Sequence, residues 1–112
     1  IQELGTIFQS NIDVKILVLN NNFLGMVRQW QQLFHDRRYS FTELTNPNFQ
    51  KIAEGYGIAT NKVSERTDLE SAVDSWLNSD GPALLEVLVE KEENVFPMVP
   101  TGESVSNIRL EP

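Results

Sequence analysis

Residues 14–30 decide the fold, and they read Val-Lys-Ile-Leu-Val-Leu-Asn-Asn-Asn-Phe-Leu-Gly-Met-Val-Arg-Gln-Trp. The run 14–19 is almost wholly apolar and contains β-branched residues, which is typical of a strand buried on both faces of a parallel sheet. Three asparagines end this run, and apolar residues then recur at helical offsets from Phe23 to Phe34. The stretch therefore predicts a strand, a turn and a helix in direct succession.

The same alternation extends outward in both directions. A helical pattern over residues 1–9 precedes the strand, and a third helix is predicted to start at Asn46-Pro47, with the asparagine as its cap. A strand over 58–63, a helix opened by a capping box at Thr67–Glu70 and a strand over 83–89 follow. This order predicts an α/β fold, a partial three-layer parallel sheet with flanking helices, in which three strands are visible.

Residues 1–94 are predicted to form the sheet-bearing domain, and residues 95–112, with three prolines, a C-terminal loop and tail. The chain starts at Ile1, inside a helical pattern and without methionine. A helix that feeds a buried strand normally follows another strand, so we expect a first strand to be missing and the chain to be a fragment.

Composition excludes several classes of function. The 112 residues carry a formal net charge of −7, so binding of nucleic acid through a basic face is not expected. There is no cysteine, which excludes disulfides, thiolate metal sites and a cysteine nucleophile. No apolar run approaches the roughly 20 residues of a membrane span, so no membrane partner is expected.

The asparagine turn is the strongest candidate for chemistry. Ligands of open parallel sheets bind beyond the carboxyl ends of the strands, where Asn20–Asn22 lie. Carboxamide oxygens suit Mg²⁺, the next helix offers its N–H groups to a phosphate, and Gly25 allows close approach. The competing interpretation is an ordinary turn in which Asn22 merely caps the helix.

Other polar and aromatic residues are less informative. Trp30 and Trp76 fall on apolar helix faces and are predicted to be core residues on residue type alone. His35, near a predicted helix C-terminus, receives no role, because a histidine there more often interacts with the helix dipole. Glu86 lies within a predicted strand, where it is either paired or directed outward.

Residues 19–30, together with Ile1–Leu4 and Pro97–Gly102, closely resemble acetolactate synthase, also called acetohydroxyacid synthase. The resemblance is to the C-terminal thiamine diphosphate-binding domain of its large catalytic subunit and covers nearly the whole chain. It implies a transferase that depends on thiamine diphosphate and magnesium, decarboxylates pyruvate and joins the product to a second 2-oxo acid. The pathway would be branched-chain amino acid biosynthesis, with pyruvate and 2-oxobutyrate as substrates.

The resemblance also implies roles for individual residues. Asn21 would bind Mg through its side chain and Phe23 through its backbone carbonyl. Trp30 and Thr101 would line the substrate channel, and the tryptophan would favour 2-oxobutyrate as the acceptor. The residues that would contact the cofactor diphosphate follow the turn, and with the two metal ligands they make the cofactor-binding set Asn21, Phe23, Leu24, Gly25 and Met26.

Much of such an enzyme would lie outside this chain. The resemblance places FAD, a further aspartate ligand of the metal and the glutamate that activates thiamine elsewhere, so no catalytic residue is assigned here and the chain alone is expected to be inactive. The parent, a flavoprotein, would be a homodimer or tetramer, with a regulatory small subunit in some members. It would be cytoplasmic in a bacterium and organellar in a eukaryote.

Two alternatives stay open at this stage. The first is another thiamine diphosphate decarboxylase or carboligase, such as glyoxylate carboligase. The second is a non-catalytic α/β interaction domain, in which the asparagine run is only a turn and the isolated fold exposes no apolar face.

Overall fold

The computed structural model describes residues 1–111, and a parallel sheet lies at the centre of the first part of the chain. Within the described residues its three strands are β1 (Lys15–Asn20), β2 (Ala59–Val63) and β3 (Ala83–Leu88), in the order β1-β3-β2. All pairings are parallel, so the predicted parallel sheet is confirmed.

Residues 1–111 contain four α-helices: α1 (Gln2–Ser10), α2 (Gly25–Phe34), α3 (Phe49–Glu54) and α4 (Leu69–Leu77). Short 3₁₀ turns cover Arg66–Asp68 and Val105–Asn107. The predicted helices and strands are therefore all present, with ends that differ by a few residues.

The start of α3 was predicted wrongly by two residues. Asn48, not Asn46, is its N-cap, and the Asn48 side chain accepts a hydrogen bond from the backbone N–H of Lys51 at 2.8 Å. The Asn46 amide instead donates to the side-chain oxygen of Asn20 at 2.8 Å. A tertiary partner thus engages the first asparagine, and the second one caps the helix.

The predicted capping box at Thr67–Glu70 is also wrong. Asp68 is the N-cap of α4, and within the described chain its side chain does not cap the helix. Asp68 has φ −96° and ψ −7°, because the preceding 3₁₀ turn runs directly into the helix. An N-cap side chain accepts a hydrogen bond from a backbone N–H of the first helical turn when its own residue is extended, and Asp68 does not adopt that conformation.

The chain divides into two compact units. The first comprises residues 1–21 and 46–89 and has a packed cluster on each face of its sheet. On one face, Leu84 packs with Ala53 and Ile58, beside side chains of α1. On the other face, Leu85 packs with residues of α4 and β2. The expectation of helices on both faces of the sheet is confirmed.

Burial of β1 on both faces is not what the structure shows. Leu17 and Leu19 expose 47% and 65% of their surface. Strand β1 lies at the edge of the sheet, and α4 packs over β2 and β3. The sheet therefore presents an apolar surface and an open edge at β1, which contradicts the expectation attached to a self-contained interaction domain.

The second unit comprises residues 22–45 and the segment that begins at Glu90. Helix α2 is its main element, and Arg28 and Gln29 are buried there. Across residues 1–111, the helices are all too short or too polar to traverse a lipid bilayer.

Candidate functional site

The asparagine run turns the chain at the carboxyl end of β1. Asn20 is buried, Asn21 is half-buried and Asn22 is exposed. Asn22 adopts a φ of 57°, the left-handed conformation that asparagine tolerates better than most residues. The three asparagine side chains thus lie in three different environments.

Phe23 lies in a short bridge to Glu43 within the second unit. The bridge is made by the N–H of Leu24, which donates to Thr42, and by the carbonyl of Asn22, which accepts from Leu44, both at 2.8 Å. Peptide groups alternate in direction along an extended segment. The carbonyl of Phe23 is therefore directed away from the segment that carries Glu43.

The N-cap residue of helix α2 makes no side-chain capping hydrogen bond within the described residues. Leu24 occupies the N-cap position and has no polar side-chain atom. The backbone N–H groups of Gly25, Met26 and Val27 form the first turn, where intrahelical acceptors do not exist and the helix dipole is positive. Asn22 is not the cap, so the interpretation in which it merely caps the helix is wrong.

Arg28 stabilises the start of α2. Its guanidinium is buried, binds Glu92 at 2.9 Å and lies 5.6 Å from the ring centre of Phe23 and 4.6 Å from that of Tyr39. Cation–π contacts of a desolvated arginine contribute stability, and here they hold the aromatic ring that follows the turn. Arg28 thus fixes the orientation of Phe23 from the next turn of the helix.

Gln29 connects α2 to residues 95–98 by hydrogen bonds. Its amide donates to the carbonyl of Val95 at 3.0 Å and accepts from the N–H of Val95 at 2.7 Å. The same amide nitrogen lies 3.1 Å from the sulfur of Met98. The segment 95–98 is therefore held beside the helix by a buried, fully paired carboxamide, a role that residue type alone did not predict.

Trp30 and Thr101, which are far apart in the sequence, line the same cavity of about 420 Å³ in the second unit. Trp30 exposes 47% of its surface, so the prediction of a core residue is wrong for it. Trp76 is half-buried and donates to the carbonyl of Ala83 at 3.1 Å. The remaining walls of the cavity are mostly apolar: Met26, Phe34, His35, Met98, Val99 and Pro100.

Glu86 is paired, not directed outward. It is 2% exposed in the central strand, and its carboxylate accepts from the amides of Asn20 at 2.6 Å and Gln50 at 2.7 Å. Lys62 lies 3.4 Å away on β2. Burial raises the pKa of Glu86, but the hydrogen bonds from Asn20 and Gln50 and the charge of Lys62 outweigh it, and the net pKa lies below 4.5.

This carboxylate makes stability depend on pH. Because the pKa of Glu86 is lower in the folded state, its contribution is complete above pH 4.5 and is lost as the pH falls through the folded-state value. We expect the free energy of unfolding to fall more steeply below pH 4.5 in the wild type than in Glu86→Gln. Urea titrations between pH 3 and 7 measure both slopes, and parallel curves would contradict the assignment.

Carboxylates and imidazoles do not cluster into a metal site within residues 1–111. Asn21, in the first unit, has a carboxamide oxygen, and Phe23, in the second, has a backbone carbonyl. Both are hard donors of the kind that Mg²⁺ prefers.

A family profile described as "Thiamine pyrophosphate enzyme, C-terminal TPP binding domain" matches residues 1–87. The chain belongs to the thiamine pyrophosphate enzymes. Thiamine pyrophosphate is also called thiamine diphosphate. The chain is similar to a solved structure and to curated sequences of such enzymes.

The solved structure is a thiamine diphosphate-dependent 4-hydroxybenzoylformate decarboxylase from Rhodococcus jostii RHA1. It superposes with a TM-score of 0.67 and 30% identity over 78% of this chain and 16% of the other. The similarity supports the same α/β fold in a thiamine pyrophosphate enzyme.

Curated relatives include acetolactate synthase isozyme 2 large subunit of Escherichia coli, 49% identical over 96% of this chain, and the mitochondrial acetolactate synthase of Schizosaccharomyces pombe, 48% identical over 96%. An acetolactate synthase of Arthrospira platensis is 41% identical over the same share. The chain spans 20%, 16% and 19% of these relatives. It therefore corresponds to about a fifth of such a thiamine pyrophosphate enzyme.

Proposed function

We propose that this chain is a fragment of an acetolactate synthase large subunit. The observation that carries the proposal is the identity of 41–49% over 96% of the chain to acetolactate synthases from different kingdoms. The parent enzyme would decarboxylate pyruvate and transfer the two-carbon unit to a second 2-oxo acid. Residues 1–94 would be the C-terminal part of the diphosphate-binding domain, and residues 95–112 the loop and tail that follow it.

The turn after β1 would hold Mg²⁺ and the cofactor diphosphate. Asn21 would bind the metal through its side chain and Phe23 through its carbonyl, which the bridge to Glu43 directs away from its own partner segment. The uncapped first turn of α2 would bind diphosphate oxygens through Leu24, Gly25 and Met26. Bound thiamine diphosphate supplies the carbanion stabilisation that such decarboxylations need.

The cavity beside α2 would form part of the substrate channel. Trp30 and Thr101 line it together with Met26, which we also assign to the diphosphate site. A mostly apolar wall suits the alkyl end of a 2-oxo acid, and the exposed indole offers a large contact surface. Gln29 would maintain this wall, because it ties the segment 95–98 to the helix.

Other components would come from outside this chain. FAD, the homodimeric or tetrameric assembly and a regulatory small subunit are proposed for the parent from its likeness to the large subunits of acetolactate synthases. The compartment would be the cytoplasm of a bacterium or an organelle of a eukaryote.

The deciding experiment is an assay of the full-length protein. Purified enzyme receives thiamine diphosphate, Mg²⁺ and FAD with pyruvate, and 2-acetolactate is quantified. Formation of 2-acetolactate supports the synthase. Turnover of glyoxylate without acetolactate from pyruvate would instead identify the carboligase alternative, and a folded protein inactive on all 2-oxo acids would favour the interaction domain.

The 112-residue chain by itself is expected to bind the cofactor negligibly. An amide and one carbonyl do not compensate the charges of a magnesium diphosphate, and the formal net charge of the chain is −7. Calorimetric titration of the isolated chain with thiamine diphosphate and excess Mg²⁺ should therefore give no resolvable binding heat. Saturable binding at micromolar concentration would show that the site is complete in this segment.

A further inference from the structure

Glu86 occupies an unusual place for a carboxylate. It lies in the central strand and is almost completely buried, on the sheet face shared with Leu84. A buried carboxylate is costly unless hydrogen bonds and charges compensate it, and a hydrophobic residue at the same position often stabilises a fold as well. The position of Glu86 therefore calls for a role beyond packing.

Within residues 1–111, the groups paired with this carboxylate are all hydrogen-bond donors. Asn20 donates to Oε1, whereas Gln50 and Lys62 approach Oε2. The oxygen of the Asn20 amide is in turn engaged by the amide of Asn46, at 2.8 Å. The orientation of Asn20 is thus fixed from both sides, by an acceptor in the central strand and by a donor that precedes α3.

Asn20 is also the last residue of β1 and is covalently joined to Asn21. Its backbone carbonyl accepts from the N–H of Val89 at 3.0 Å, so both its side chain and its main chain are anchored to the central strand or its extension. The position of Asn20, and with it the start of the peptide that carries Asn21, is consequently held by contacts that include the carboxylate of Glu86.

We propose that Glu86 is a positioning residue for the metal-binding turn, acting through the amide of Asn20 on the placement of Asn21. The inference rests on the proposed role of Asn21 as a magnesium ligand. Glu86 itself does not touch the metal or the substrate in this assignment. Strand β1 ends at Asn20, where the ladder of strand hydrogen bonds stops. The buried, charge-assisted hydrogen bond from Asn20 to Glu86 keeps this end of the strand rigid.

The test uses Glu86→Gln in the full-length protein, because the substitution preserves shape but turns one acceptor oxygen into a donor that faces other donors. We expect the Mg²⁺ concentration for half-maximal acetolactate formation to rise about 10–100-fold, the usual effect of losing an outer partner of a metal ligand. The rate at saturating Mg²⁺ should stay within about threefold, because the positioning loss is overcome by mass action.

Calorimetry provides a readout independent of turnover. Apo protein is titrated with thiamine diphosphate at a fixed, subsaturating Mg²⁺ concentration, and Glu86→Gln should weaken the apparent affinity by a similar factor. The matched control is Glu54→Gln, which alters an exposed carboxylate on α3 that accepts a hydrogen bond from the hydroxyl of Thr60. That variant should behave as the wild type does.

Each outcome bears on the inference separately from the proposed function. A lowered melting temperature with unchanged Mg²⁺ dependence would overturn the positioning role. If Glu86→Gln does not fold, Asn20→Ala serves as the second variant, because it removes the hydrogen bond to Glu86 and keeps the carboxylate. Asn20→Ala should weaken Mg²⁺ binding, and an affinity equal to that of the wild type would overturn the inference. A wild type that binds Mg²⁺ and thiamine diphosphate but forms no acetolactate would refute only the synthase.

Discussion

Asn21→Ala is expected to reduce acetolactate formation by the full-length protein at least about 100-fold at Mg²⁺ concentrations that saturate the wild type. Loss of partners that merely orient a metal ligand costs 10–100-fold, and removal of the ligand itself should cost no less. The alanine has no oxygen to offer, whereas water would have to fill the vacated coordination position in an unfavourable geometry. Steady-state rates across a Mg²⁺ series measure the effect.

Asn22→Gly is the matched control for this substitution. Asn22 is exposed and has a φ of 57°, which glycine adopts without strain, so the variant removes the adjacent carboxamide and keeps the turn conformation. It should retain Mg²⁺-dependent activity within a few-fold. Equal losses in both variants would indicate that the turn, and not the Asn21 oxygen, is required, and full activity of Asn21→Ala would refute the ligand assignment.

The sequence predicted elements better than their ends. Apolar periodicity located the strands and helices because burial of side chains is what forms them. The cap of α3 was missed because two asparagines, Asn46 and Asn48, have the same local propensity, and only the tertiary partner Asn20 distinguishes them. Exposure of Leu19 was missed because an apolar run does not reveal whether a strand is central or at an edge.

The candidate site divides in a similar way. The asparagine turn and the helix after it were recognisable, since a polar run at a strand end is a local pattern. The pairing of Glu86 with Asn20 spans 66 positions, and that of Gln29 with Val95 spans 66 as well. Such contacts leave no local periodic signal, although a glutamate inside an otherwise apolar strand does indicate that a buried donor must exist.

Trp30→Leu is expected to change which acceptor the enzyme prefers. The acceptor 2-oxobutyrate exceeds pyruvate by one methylene group, and a hydrophobic contact to one methylene discriminates substrates by about 10–200-fold. Trp30 is half-exposed on the wall of the cavity that also holds Thr101, so its indole is available for that contact. With both acids present, the ratio of 2-aceto-2-hydroxybutyrate to 2-acetolactate should fall about tenfold or more.

The second tryptophan separates this effect from a general loss of packing. Trp76 lies on α4 in the first unit, packs against the cluster that contains Val63 and Leu85, and donates to the carbonyl of Ala83. Trp76→Leu removes a similar indole and a hydrogen bond, so it should lower stability and leave the product ratio unchanged. An unchanged product ratio in Trp30→Leu would refute the assignment of Trp30 to the channel. Trp30 and Trp76 belong to different units. Equal changes of the ratio in both variants would therefore indicate that acceptor preference follows stability and not a contact with Trp30.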